Sequence, residues 1–340
     1  MPAGVDPGLQ IRCGVARAAL GGFDSHTPPP TRWRDECVSW ALHRVVRHPA
    51  DSAWPAFWAS KAACERKVVE IGFGNGDFLL ALAQNDSKAC FVGIELSVTS
   101  VTKAARKALQ RGLDNVVLVM GDARFMLKEA FPPGAFDEAY INFPCPWPKK
   151  RHAKYRLSHG DFPAAISSAL KAKGALEMTT DSKPFAEEFA QAISATGAMA
   201  VDLFEKNPRR AVRTKYEDKW LTQGRDICRL RFVKVDDFAL PSESEGGFHV
   251  HRILSVKTSP ARAISGTSGG EGTHRYFFGG AFSGDDGTEL LQVITVDDGF
   301  EQRFYLRFVP KPDGVLVKLD ECSQAFRTPA AKAALAAIAG

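Results

Sequence analysis

Between Val68 and Ala83 the chain passes from a short apolar stretch, through Glu70-Ile71-Gly72-Phe73-Gly74-Asn75-Gly76, into Asp77-Phe78-Leu79-Leu80-Ala81-Leu82-Ala83. The order reads as a strand, a turn without side chains and a helix N-terminus. Glycines at alternate positions leave main-chain N–H groups bare, and a ligand can settle against them at the start of a helix. Such a unit needs a sheet to sit in, which makes this an α/β chain. Glu95 closes the next apolar run, Phe91-Val92-Gly93-Ile94. It lies about 20 residues beyond the turn, where folds of this kind set a carboxylate against a ribose diol.

Apolar runs alternate with helical runs from about residue 64 to 236. Strands are expected at Val68–Ile71, Phe91–Glu95, Val116–Met120, Phe136–Phe143, Ala175–Met178 and, last, Ile227–Val233. Ser97 suits an N-cap for a helix ending near Gly112, and Asp181–Ser194 reads as another helix. The alternation predicts a Rossmann-like parallel sheet with helices on both faces, whose ligands bind outside the carboxyl ends of the strands. Residues 1–53 look peripheral, with one short amphipathic helix at Trp33–Val46. The catalytic domain is expected over 54–236.

Past a Pro/Ser/Gly-rich linker at 241–247 the texture changes. Short alternating runs at Phe248–Val256, Arg275–Phe282, Leu290–Val296, Arg303–Val309 and Val315–Leu319 predict a small, mostly antiparallel β domain over 248–340. Phe304, Leu306 and Phe308 should face its core. A helix at Pro329–Ile338 closes the chain, and Ser265–Gly272 reads as disordered.

The net charge of +5 is mild but unevenly placed. Lys149, Lys150, Arg151, Lys154 and Arg156 form one basic run, and Lys206, Arg209, Arg210, Arg213, Lys215 and Lys219 form another. A lone basic run is most simply a solvated face. Two flanking one candidate site favour an anionic macromolecule. The seven cysteines are scattered, without Cys-x-x-Cys pairs or zinc-ligand spacing, so no metal is expected. Their odd number and the lack of an apolar signal segment favour the cytoplasm, and no stretch is apolar enough to span a membrane.

The glycine turn fails the dinucleotide fingerprint, since the third glycine is replaced by Asp77 or Leu79 according to frame. An acid directly before the turn suits S-adenosylmethionine better. Glu70 would meet its ammonium group, Glu95 its ribose and Asp122 its adenine edge, with Gly72, Gly74 and Gly76 beneath. The plainer alternative is that Glu70 and Glu95 cap helices or pair with lysines. The loop Asn142-Phe143-Pro144-Cys145-Pro146-Trp147-Pro148 is fixed by three prolines at a strand end. It can hold a flat base, with the following cations gripping phosphates, although Trp147 could equally be core.

The glycine turn, Phe143 to His152 (Phe-Pro-x-Pro-Trp-Pro-Lys-Lys-Arg-His), Thr180-Asp181 and Thr214-Lys215-Tyr216-Glu217 together resemble the bacterial tRNA (guanine-N7-)-methyltransferase family over about 66–234. The resemblance implies S-adenosylmethionine as donor and guanosine 46 of the tRNA variable loop as acceptor. By position, Glu70, Glu95 and Asp122 match the family's cofactor acids; Lys149, Asp181, Thr214 and Glu217 match its substrate side. Thr214 and Glu217 are expected at the guanine N1/N2 edge. Lys150, Arg151, Lys154 and Arg213 are expected on the RNA backbone.

Cys145 stands where the family usually has a catalytic aspartate. Guanine N7 carries no proton, so transfer needs no general base, and Asp181 or Glu217 could supply the negative field. Catalytic roles therefore fall to Cys145 and Asp181. Two alternatives remain open here: an RNA cytosine-C5 methyltransferase with Cys145 as nucleophile, and a non-catalytic tRNA-binding relative. Structurally, Cys145 reads as a small buried apolar residue beside the pocket. Oligomeric state is not legible.

Overall fold

The computed structural model describes residues 46–47, 54–149, 155–210, 212–240, 251–256, 258–323 and 325–339. The expected Trp33–Val46 helix falls outside them except for Val46. That residue belongs instead to a two-residue strand, β1 (Val46–Arg47), paired with β4.

After α1 (Trp54–Ser60) the chain alternates β2 (Arg66–Ile71), α2 (Asp77–Asn85), β3 (Ala89–Glu95), α3 (Val98–Gln110), β4 (Val116–Met120), α4 (Ala123–Glu129), β5 (Phe136–Asn142), α5 (Phe162–Ala169), β6 (Leu170–Thr180), α6 (Lys183–Ser194), β7 (Met199–Lys206), α7 (Lys215–Thr222) and β8 (Cys228–Lys234). The sheet order is β1-β4-β3-β2-β5-β6-β8-β7. The strands from β1 to β6 are parallel, while β8 runs antiparallel to both β6 and β7. The sheet is therefore mixed. Strand order reverses at β2, with β3 on one side and β5 on the other, which opens a crevice at the carboxyl ends there.

Alternate residues of the central strands go to opposite faces. Val69, Val92 and Val117 join Phe125, Phe162 and Phe189 from α4, α5 and α6. Val68, Phe91 and Leu118 join Leu79, Leu80 and Ala104 from α2 and α3. Both faces are covered, which is why these strands are almost continuously apolar. Ser97 caps α3, its hydroxyl accepting the Ser100 N–H, and Gly112 follows the helix at φ +64°.

Two sequence expectations change here. Lys173-Gly174 does not turn into a short strand; Lys173 takes φ +64° inside an eleven-residue β6. The strand β7 was not foreseen. It lies on the sheet edge with most side chains exposed, and its register shifts between Val201 and Leu203, so it lacks regular alternation.

The second sheet has the order β10-β11-β12-β13-β14-β9, antiparallel throughout. Its strands are β9 (His251–Leu254), β10 (Ser268–Glu271), β11 (His274–Ser283), β12 (Glu289–Asp297), β13 (Phe300–Lys311) and β14 (Gly314–Leu319), with α8 (Ala261–Ile264) and α9 (Pro329–Ala339). Ser265–Gly272 is not disordered: its second half is β10, hydrogen-bonded to β11. Pairing overrode its weak strand composition. Phe304, Leu306 and Phe308 pack with Ala331, Ala334 and Ile338 of α9.

The sheets meet through an aromatic contact. Phe300 stacks on Phe125 of α4 at 3.6 Å between ring centroids and 2° between planes, and Phe326 meets Phe125 edge-on at 4.9 Å.

Candidate active site

The glycine turn is built as its composition demands. Gly72, Gly74 and Gly76 take φ of +69°, +54° and +75°, values costly for residues with a Cβ. They differ in surroundings. A Cβ on Gly76 would lie 2.7 Å from that of Ala104, so this glycine lets α2 approach α3. A Cβ on Gly72 or Gly74 would enter open space. Gly76→Ala is therefore expected to cost stability, about 1–3 kcal/mol in thermal unfolding. Gly74→Ala avoids the clash but still carries the strain of its left-handed φ, about 1 kcal/mol, and should weaken ligand affinity as well.

Glu70, one residue from the end of β2, is 2% exposed. Its Oε1 accepts a 2.8 Å hydrogen bond from Asn142 Nδ2; its Oε2 has no partner in full hydrogen-bond geometry, although the Leu79 N–H lies near enough to favour the anion. Burial pushes its carboxyl up to about 7, against the lowering effects of the Asn142 hydrogen bond and the Arg210 charge. A buried acceptor beside two open glycines is a fit for a ligand's ammonium group. Glu95 supports the same turn, Oε2 accepting from Gly74 N and Oε1 from Ser97 N, each at 2.9 Å. It thus braces the loop and pairs with no lysine among the described residues, while remaining partly exposed at the end of β3. Asp122 is the N-cap of α4, accepting from Arg124 N at 3.0 Å and pairing with the Arg124 guanidinium.

The side chain that organises the other half of the crevice is Arg210, buried at 5% side-chain exposure. It donates to Asn142 Oδ1 at 2.9 Å and to Glu217 Oε2 at 3.1 Å, lies 3.4 Å from Glu177 Oε1, and covers the Phe78 ring. Glu177 also accepts from Arg229 at 2.6 Å. A continuous polar chain therefore links Glu70 through Asn142 to Arg210 and Glu217. Sequence reasoning placed Arg210 only within a basic run, because nothing local separates a buried arginine from a solvated one.

Thr214 and Glu217 are both buried. Thr214 caps α7, its hydroxyl accepting Glu217 N at 3.1 Å, and Glu217 is the counter-ion of Arg210. Each has an interior partner, and the second carboxylate oxygen of Glu217, Oε1, is buried without a hydrogen-bond partner. Asp181, just after β6, accepts from Arg225 at 2.9 Å, and Arg225 lies over the Trp220 ring.

In the proline loop, Phe143 and Trp147 hold φ of +51° and +41°. Such strain persists only where surroundings enforce it. Phe143 N donates to Thr179 O at 2.7 Å, and Trp147 O accepts twice from Arg156, which also pairs with Glu188. Arg156 thus braces the loop, contrary to its expected phosphate role. Trp147 is half-buried against Tyr155. Cys145 is exposed, not buried as expected: the prolines on either side turn it outward from the end of β5. Lys149 is exposed, and Arg213 is half-exposed, 3.6 Å from Asp218. Lys150, Arg151 and Lys154 lie outside the described residues. No group of three or more His, Cys, Asp or Glu among the described residues is placed to hold a metal ion, and none of their helices is long and apolar enough to cross a membrane.

A cavity of about 490 Å³ lies where the sheets meet, lined by Asp122, Arg124 and Phe125, by Tyr155 and His159, and by Val296–Glu301 of the β12–β13 turn.

A family described as "Putative methyltransferase" matches residues 65–230. The tRNA (guanine-N(7)-)-methyltransferase of Thermotoga maritima is 38% identical over 290 residues, 84% of this chain and 90% of that protein. Its counterpart in Coprothermobacter proteolyticus is 31% identical over 84% of this chain and 89% of its own length. The chain is a tRNA (guanine-N7-)-methyltransferase family member. A shorter member from Limosilactobacillus reuteri, 34% identical, aligns over 95% of its length but only 58% of this chain. The alignment with that shorter member covers more than half of this chain, and the rest has no counterpart in it.

Proposed function

We propose that this protein transfers a methyl group from S-adenosyl-L-methionine to N7 of guanosine 46 in the tRNA variable loop, in the cytoplasm. The observation that carries the donor side is Glu70, a buried carboxylate with one oxygen in no full hydrogen bond, beside Gly72 and Gly74. The donor supplies an electrophilic methyl carbon on a sulfonium. Glu70 receives its ammonium group, Glu95 its ribose and Asp122 its adenine end, the last two already fixed by the turn and by α4.

On the acceptor side, N7 carries a lone pair and no proton, so alignment is the main requirement. The strained Phe143–Trp147 loop, braced by Arg156, presents a rigid wall for the base. Asp181 stands at the adjacent strand end and supplies negative field as N7 gains positive charge. Lys149 and Arg213 are exposed, and they are assigned to the RNA backbone together with Lys150, Arg151 and Lys154 of the first basic run. Glu217 acts through Arg210, and Thr214 by capping α7.

Methyl transfer to tRNA with the modified nucleoside identified is the direct test. 7-Methylguanosine at position 46 supports the reading, and its absence with bound donor and tRNA sinks it. Cys145→Ser is expected to retain transfer within about tenfold, because the N7 lone pair attacks the methyl carbon directly and needs no protein nucleophile; loss of covalent catalysis would cost on the order of 1,000-fold or more.

A further inference from the structure

The second sheet has one face packed under α9 and α8, and among the described residues no helix packs on its other face. Strand register places Phe277, Ile294 and Arg303 in one outward row, and Phe282, Leu290 and Arg307 in another. Tyr305, opposite Gln292, lies between the rows, its ring 6.3 Å from that of Phe282. Phe277 is 42% exposed and Phe282 55%, unusual for phenylalanines in a well-paired sheet. Both arginines have carboxylate neighbours, Glu301 and Asp320, yet each guanidinium carries five N–H groups, more than one carboxylate engages.

The next outward row, Arg275, Val296 and Glu301, ends at the junction cavity, where Val296 and Glu301 face Asp122, Tyr155 and His159. Tyr155 lies within the basic run after the proline loop, between Lys154 and Arg156. The face is thus continuous with the crevice at the strand ends. Flat aromatic rings interleaved with arginines match unpaired nucleobases and their phosphates, since every base has a stacking face and every linkage a charge.

Resting on the reading that the substrate is tRNA, we infer that the outward face of the second sheet is a separate RNA-contact surface. On it Phe277, Phe282 and Tyr305 stack unpaired bases while Arg303 and Arg307 hold phosphates.

The test uses the full chain and unmodified tRNA transcript. The variant Phe277→Ala/Phe282→Ala/Tyr305→Ala is expected to raise the tRNA dissociation constant at least tenfold, with donor affinity unchanged. Arg303→Glu, at an exposed position where only a surface ion pair with Glu301 is lost, should lower the slope of log affinity against log salt by about one. If the triple variant fails to fold, the Arg303 measurement decides alone. Unchanged tRNA affinity and salt slope in folded variants would overturn the inference. So would a change confined to self-association in sedimentation, which would make this face a contact between copies. A wild-type protein whose tRNA binding depends on this face, but which forms no 7-methylguanosine, would fail the functional reading and leave this one standing.

Discussion

Replacing Glu70 by glutamine is expected to weaken donor binding about 100-fold while making the free protein more stable at alkaline pH. The first effect follows from removing the buried anion that faces a ligand cation, a loss on the order of 2–5 kcal/mol. The second follows from the cost of holding that anion without a ligand. Burial raises the Glu70 carboxyl to about 7 in the folded chain, from 4.5 in the unfolded one. Below about pH 4.5 both states carry the proton. As pH rises the unfolded chain ionises first, so stability falls through this window and levels off above about 7. The full loss is on the order of 3 kcal/mol. Glutamine does not ionise, so the variant should melt higher than wild type at pH 8 and near it at pH 4.5. Donor binding should release protons from wild type near pH 7, and calorimetry in buffers of different ionisation heat reads that release. A variant that binds donor normally would remove Glu70 from the donor site, and one that gains no stability at pH 8 would show that the free protein holds no costly buried anion there.

Arg210→Met should be the most destabilising single change in the crevice. The substitution keeps volume but leaves Glu217 buried without its counter-ion and takes the donor from Asn142 Oδ1. Breaking a buried pair from one side costs about 3–5 kcal/mol. In a protein of this size that is a fall of roughly 10 °C in melting temperature. Adding Glu217→Gln should recover much of it, because the orphaned charge is then gone. Glu177 keeps Arg229 in either case. Equal melting of Arg210→Met and wild type would show that the polar chain from Glu70 to Glu217 carries no stability.

The two predictions involve different degrees of sequence legibility. Glu70 was readable because its neighbours in sequence are its neighbours in space: strand, bare turn and helix are contiguous, and the turn's geometry is local. Ser97 and Gly112 were readable for the same reason, as caps act within one turn of their own helix. Arg210 was hidden in a basic run. Its partners Asn142, Glu177 and Glu217 come from a strand end, a second strand and a helix, and only chain packing sets them around one guanidinium. Cys145 misled because small apolar residues are usually buried, whereas here prolines on both sides fix it outward. The disordered reading of Ser265–Gly272 failed because β11 supplies hydrogen bonds that composition does not announce.

The sequence by itself determined the periodic elements, the glycine turn with its two acids, the rigid proline loop and the change to antiparallel texture past residue 248. Each is a matter of backbone preference or alternation within a few residues. The tertiary structure decided which charges are buried and with whom, that β7 and β8 close the first sheet antiparallel, and that Phe300 lies flat on Phe125. Those outcomes depend on desolvation and on contacts between segments far apart in the chain, whose free energies no local pattern records.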